Sequence, residues 1–187
     1  MTFDPWTLVH TRHGLVADEV ISALQKEIRR GNVENAVCLA YEMFTTSPEL
    51  AEVMWSRLQI ISVEDIGWGD LQAPVLINAL YEMQARQSEP RNRGMYAVHA
   101  VRFLATRVKD RSSDEMYAWL RQEDAAGRLK PVIPDYALDM HTRRGAEMGR
   151  DRRYFYEESA QVSPELEDRY DEYKKRLLAS LNKKQEC

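Results

Sequence analysis

Cysteine is almost missing from this chain: of 187 residues only Cys38 and Cys187 are thiols, and no CxxC occurs. A disulfide framework and a thiolate zinc cluster are both excluded as the organising principle. Glycine and proline are sparse, with 8 and 7 copies, so neither a collagen-like nor a low-complexity chain is indicated. No G-x-x-x-x-G-K-[ST] appears. Without that loop there is no backbone cradle, no phosphate-binding lysine and no Mg²⁺-binding hydroxyl, so ATP hydrolysis by this chain alone is not expected. No apolar run approaches the ~18 residues that cross a membrane, and Met1 to Gly14 lacks the apolar core of a signal peptide. A cytoplasmic protein without membrane contact is therefore expected. An excess of positive charge is missing too. The net charge is −4 and the pI near 5.7, so nucleic-acid binding would need a local patch rather than a global field.

What is present is helical periodicity. Hydrophobic residues make up 44% and charged residues 30% of the chain, and a chain of this length buries roughly 70% of its unfolded surface without covalent staples. Val20, Ile21, Leu24 and Ile28 form one stripe, with Lys26, Glu27, Arg29 and Arg30 on its solvent side. Asp18 is the expected N-cap and Gly31 the left-handed stop. A second helix is predicted over 33–44, burying Ala36, Val37, Ala40 and Phe44. Ser47-Pro48-Glu49 reads as N-cap, N1 and acidic first turn of a third, through Val53, Met54, Leu58 and Ile61. Asp70 is expected to cap a fourth helix that tolerates Pro74 in its first turn and buries Leu76, Ile77, Leu80 and Met83. After a polar loop over 86–93, a fifth helix is predicted over 94–108, with Val98, Val101, Leu104 and Ala105 inward. Ser112 and Glu115 have capping-box spacing for a sixth helix ending at Gly127. Pro131 and Pro134 enforce an extended connector. Further helix, interrupted at Gly145 and Gly149, is expected over 135–160, and a charged amphipathic helix over 164–183. No segment alternates with period two for long enough to be a strand. The expected fold is all-α: a single-domain multi-helix bundle with an N-terminal arm (1–16), a helical domain (17–160) and a charged C-terminal helix and tail (161–187).

Three stretches together resemble the C-terminal region of the RarA/MgsA family of AAA+ ATPases, which act at stalled replication forks. The first runs from Ile21 to Gly31, with Ala36 and Met43 at matching offsets. The second and most specific is Arg57-Leu58 leading into Ser62–Ala73, which holds Glu64, Asp65, Gly67, Trp68, Gly69 and Asp70. The third runs from Ala100 to Thr106, followed more loosely by 131–149. The resemblance implies a helical module like the clamp-loader collar, without the ATPase engine and without an enzymatic role. It implies homo-oligomerisation, with a tetramer favoured, and an AAA+ ATPase as partner in DNA replication or recombination.

Among the candidate sites, Glu64, Asp65 and Asp70 are three carboxylates around two glycines. Such a group can bind a hard cation or divide acid and base roles, as in a small hydrolase. The preferred reading is structural: Asp70 caps a helix, while Glu64 or Asp65 serves the free amides of the glycine turn. Trp68, between glycines, is difficult to bury within its own helix and is expected to meet a neighbouring subunit. Arg143, Arg144, Arg150, Arg152, Arg153 and Tyr154 form the one basic, aromatic-flanked stretch. Phosphate contact and base stacking there define an alternative, a nucleic-acid-binding accessory protein. The competing reading pairs these arginines with nearby acids, above all those of the C-terminal helix. His10 and His13 form an H-x-x-H without a visible third ligand, so a solvated or partner-contacting arm is expected instead of a metal site. His99 reads as a boundary or core histidine, and the remaining tryptophans as core or interface. No cofactor or metal is expected.

Overall fold

A computed structural model describes residues Asp4–Asn182. The expected endpoint Lys183 and Cys187 lie outside the described residues. The architecture is all-α: among the described residues the only β pairing is an isolated antiparallel bridge between His10 and Val16. No helix among them is long and apolar enough to cross a membrane. The chain divides into two compact units, Met1–Leu129 and Lys130–Cys187.

The first unit is a bundle of six helices: α1 Ala17–Arg30, α2 Val33–Thr46, α3 Pro48–Ile61, α4 Ala73–Ala85, α5 Pro90–Thr106 and α6 Ser112–Ala125. Its centre is formed by Leu24 and Ile28 of α1, Met43 of α2, Leu50, Met54, Trp55, Leu58 and Ile61 of α3, Ile77 of α4 and Leu104 of α5, all at most 1% exposed. Small residues set the spacing. Ala36 and Ala40 on α2 and Ala97, Ala100 and Ala105 on α5 are buried, and Gly94 leaves room for the Phe44 ring. Helices meeting over such short side chains approach closely, which raises the packing gain per residue.

Several helix ends follow the expected chemistry. Gly31 sits at φ +77° and returns its N–H to Ile28. Ser47 Oγ accepts the Leu50 N–H at 3.2 Å ahead of Pro48. Others do not. Asp18 is inside the first turn of α1, whose N-cap position is Val16; its carboxylate meets the helix dipole rather than closing the end. The cap position of α4 is Gln72, and Asp70 Oδ1 accepts the Gln72 N–H at 3.0 Å in a turn just before the helix. The Ser112–Glu115 box does not form. Ser112 is already helical, and Asp110 accepts both its N–H (3.1 Å) and its hydroxyl (2.9 Å).

Burial departs from the stripes in places. Val37, Phe44, Val53 and Leu76 are half-buried at the edge of the core, and Val98 is half-buried too. Met83 is exposed, and the inward position one residue on is taken by Gln84, whose amide oxygen accepts from Arg93 Nε at 2.9 Å. His99 is exposed rather than at the core. The loop expected over 86–93 is shorter, because Pro90 starts α5 from its N1 position.

Residues 4–16 are no free arm. Trp6 and Val9 pack on the core cluster and Thr11 is buried. The following turn is clasped to α2: Arg12 N–H donates to Thr46 Oγ1 (3.1 Å) and His13 N–H to Glu42 Oε1 (3.0 Å), while the His13 ring meets Glu42 Oε2 at 2.6 Å.

The second unit is built of turns and short helices; the helix expected over 135–160 with breaks at Gly145 and Gly149 is shorter still, broken at Gly149 but running through Gly145. It contains α7 Arg143–Glu147, α8 Arg152–Tyr154 and, after a π-helical turn at Phe155–Ser159, α9 Glu172–Asn182. Local side-chain bonds set the turns and the helix starts here. Thr142 accepts the Gly145 N–H, Asp139 the His141 N–H and Asp151 the Tyr154 N–H. Gly145 is buried against the Asp139 backbone, and Gly149 turns left-handed at φ +75°. The C-terminal helix starts at Glu172 instead of Pro164. Leu166 and Tyr170 are exposed, and a helix there would have no core to repay its ordering.

Candidate functional site

The stretch that carries the family resemblance begins where α3 stops being α-helical. Ile61 leads into a π-helical turn over Ser62–Ile66, and the chain reverses at Gly67, φ +49° and ψ −126°. That conformation belongs to glycine. Gly69 is equally constrained for another reason: a Cβ there would lie 2.4 Å from the Val108 carbonyl oxygen. The turn is thus pressed against the segment between α5 and α6.

The π-turn drives Asp65 inward until its side chain is completely buried. Its Oδ1 accepts from Arg29 Nε and from Arg111 Nη1, both at 2.5 Å, and its Oδ2 from Gln25 Nε2 at 3.0 Å. Glu64 Oε1 accepts from the same donors, Gln25 (2.8 Å), Arg29 (3.2 Å) and Arg111 (3.1 Å). Arg111 Nη2 also reaches Asp114 at 2.5 Å. Burial by itself would lower the Arg111 pKa, but the bonds to Asp65 and Glu64 outweigh it and hold the guanidinium above its ordinary value. The Asp65 carbonyl accepts the Asp110 N–H at 3.0 Å. Beside it Lys109 donates to the Leu104 and Ala105 carbonyls at the end of α5, and burial pulls its pKa down against the attraction of Asp65.

The three carboxylates therefore do not form one site. Glu64 and Asp65 are committed to charged donors, while Asp70 stands apart with the Gln72 amide and, at 3.8 Å, Arg107. A cation arriving at Asp65 would have to displace two guanidinium groups. Among the described residues no group of three or more His, Cys, Asp or Glu is placed to hold a metal. Glu64 and Asp65 pair with Gln25, Arg29 and Arg111 rather than with the free amides of the glycine turn. The turn amide at Trp68 is served by Asp110 Oδ2 (3.3 Å), and the two acids join α1 to the start of α6. Arg29, Arg111 and Gln25 were invisible in the sequence. Arg29 reads as a solvent-side residue, and no local spacing links positions so far apart in the chain.

Trp68 is 71% exposed. Leu71 in the same stretch, Val75 in the first turn of α4 and Val108 in the segment that meets Gly69 are also exposed.

The basic stretch is largely spoken for. Arg150 donates to the Asp135 and Leu138 carbonyls (2.6 and 2.8 Å) and to Asp135 Oδ2 (2.6 Å), and its guanidinium lies 4.4 Å from the Tyr154 ring centroid. The Arg150 bond holds the Asp135 carboxyl below its ordinary range. Arg143 meets Glu147 at 3.3 Å and Arg153 meets Glu157 at 2.9 Å. The partners of Arg143 and Arg150 thus come from Glu147 and Asp135, not from the C-terminal helix. Arg144 and Arg152 are exposed, Arg152 lying 5.9 Å from the Tyr156 ring centroid. His10 and His13 do not converge: His13 is engaged with Glu42, and His10 is in the bridge to Val16. Trp6 and Trp55 belong to the core, whereas Trp119 is exposed on α6.

Scans of the chain against protein-family models and against curated protein sequences return no match.

Proposed function

We propose that this chain is a non-enzymatic helical oligomerisation and interaction module related to the C-terminal region of the RarA/MgsA family. In this reading it acts in the cytoplasm as an accessory to an AAA+ ATPase in DNA replication or recombination, assembling as a tetramer. The observation that carries the proposal is the state of the Ser62–Ala73 stretch. Glu64 and Asp65 are committed to an ion-pair cluster with Arg29 and Arg111 and Asp70 stands apart from them, while Trp68 is presented on a fixed turn with 71% of its surface open. Aromatic side chains displayed on rigid backbone are the usual anchors of protein interfaces. Nucleic-acid binding through Arg143–Arg153 is the weaker reading, because Arg143 and Arg150 are already matched by acids of their own unit. Light scattering over a concentration series tests the proposal. A mass well above the 21.8 kDa of one chain is expected, and a single-chain mass at every concentration up to tens of micromolar rejects it.

A further inference from the structure

A second feature of the first unit is unrelated to the Trp68 surface and does not depend on the assembly reading. Between the exposed side of α1, the N-terminal turn and α3 lies a cleft of about 390 Å³. This is within the size range of small-molecule sites. Among the described residues its lining is polar, with Ile21 as the single large apolar member, and its charges come from Asp4 and Asp18 and from Lys26, Arg29 and Arg57.

Arg57 is the anomaly. It is half-buried, yet it makes no hydrogen bond or ion pair with any described residue. Its guanidinium nitrogens are not sealed from solvent, so its donors are open to a ligand, whereas every other charged group of the cleft has a protein partner. Arg29 is fixed by Asp65 and Glu64, which leaves its Nη1 free of those bonds. Lys26 donates to Ser22 Oγ. Asp4 accepts the Trp6 N–H and Asp18 the Glu19 N–H. The acids therefore do not neutralise Arg57; they serve backbone amides.

We propose that this cleft binds a small, hydroxylated phosphate monoester, with Arg57 and Lys26 holding the phosphate. A planar guanidinium meets a phosphate through two parallel bonds, and an ammonium beside it adds an adaptable point charge. Asp4 and Asp18, each with acceptor capacity left, take hydroxyl donors from the body of the ligand. The same two carboxylates repel a second phosphate, which selects against a nucleic-acid backbone. Among the described residues the lining offers no aromatic ring for a base to stack on and too little apolar surface for a lipid tail.

Calorimetric titration of the full chain with glycerol phosphate tests this, alongside inorganic phosphate, glycerol and a short DNA duplex. Glycerol phosphate should bind saturably in the millimolar range or tighter, inorganic phosphate more weakly and glycerol not at all. Arg57→Gln should weaken glycerol phosphate binding about tenfold or more, the equivalent of one charged hydrogen-bonded contact. Asp18→Asn should weaken glycerol phosphate more than inorganic phosphate. Circular dichroism of each variant checks the fold, and Lys26→Gln, at an exposed position, replaces Arg57→Gln if that variant does not fold. Absence of binding at tens of millimolar, binding indifferent to the Arg57 and Lys26 changes, or a duplex bound more tightly through these residues would each overturn the proposal.

Discussion

Asp65 makes the first unit depend on two guanidinium groups, because a fully buried carboxylate is tolerable only while such partners stay in place. Arg111→Ala leaves Arg29 as its one remaining charged donor and also frees Asp114. A loss of about 2–3 kcal/mol is expected, the scale of a charged hydrogen bond to a buried group. Urea unfolding measures it, with Arg121→Ala, on the helix that follows Arg111, as a control that should stay within about 0.5 kcal/mol. If both variants cost the same, the cluster is not what holds α6. Glu42 gives a second test at this scale. Burial raises its pKa, but the bonds from the Thr11 hydroxyl and from the His13 ring and amide outweigh that and hold it below the ordinary carboxylate range. A depressed folded value means the stabilisation is complete above the unfolded pKa and is lost as pH falls through the folded one. Acidification should therefore loosen the clasp of residues 11–13 on α2. Amide exchange of Gly14 and Leu15 should accelerate in acid relative to the core of α3, and Glu42→Gln should flatten that pH dependence. An unchanged profile in the variant would assign the acid sensitivity elsewhere.

Helices were legible where one face met the core and one end carried its own signal, as with Ser47-Pro48 and Gly31. They were misread where the closing group sits outside the helix: Asp110 two residues before Ser112, and Asp70 two residues before Gln72. A cap drawn from a preceding turn has the same composition as one at the cap position, and only the backbone path distinguishes them. The second unit was misread for a related reason. Its apolar spacing is helical, but Thr142 and Asp151 each cap the start of a new short helix, Asp139 holds the His141 amide in the turn before the first, and Gly149 turns the chain between them. At this scale Ser47→Ala should cost about 1 kcal/mol, the ordinary value of an N-cap, read from a shift in the denaturation midpoint. Gly69→Ala should cost more, about 1–3 kcal/mol, since its methyl would occupy the space of the Val108 carbonyl and the backbone must move. Equal losses for the two would mean that the turn is more yielding than its contacts imply.

For the molecule as a whole, composition and periodicity sufficed for the all-α class, because they depend on local rules. The ion-pair cluster did not, since it joins Arg29, Asp65 and Arg111 from three separate elements. The exposure of Trp68 was anticipated from its glycine neighbours; what the structure adds is the reason the indole stays out. Asp110 fixes the Trp68 amide, Val108 closes the space behind Gly69, and Asp65 anchors the preceding turn. The turn cannot fold its side chain inward without giving up one of these. An exposed indole contributes little to folding, so Trp68→Ala should change unfolding stability by no more than about 0.5 kcal/mol at concentrations where the chain is dissociated. If it anchors an interface, the same change should weaken association by about 2 kcal/mol or more, roughly thirtyfold in the dissociation constant. Sedimentation at several concentrations and thermal unfolding of the same samples separate the two effects. A variant that remains assembled but melts far earlier would make Trp68 a folding residue. One that dissociates while melting little differently places the interface on the Ser62–Ala73 turn.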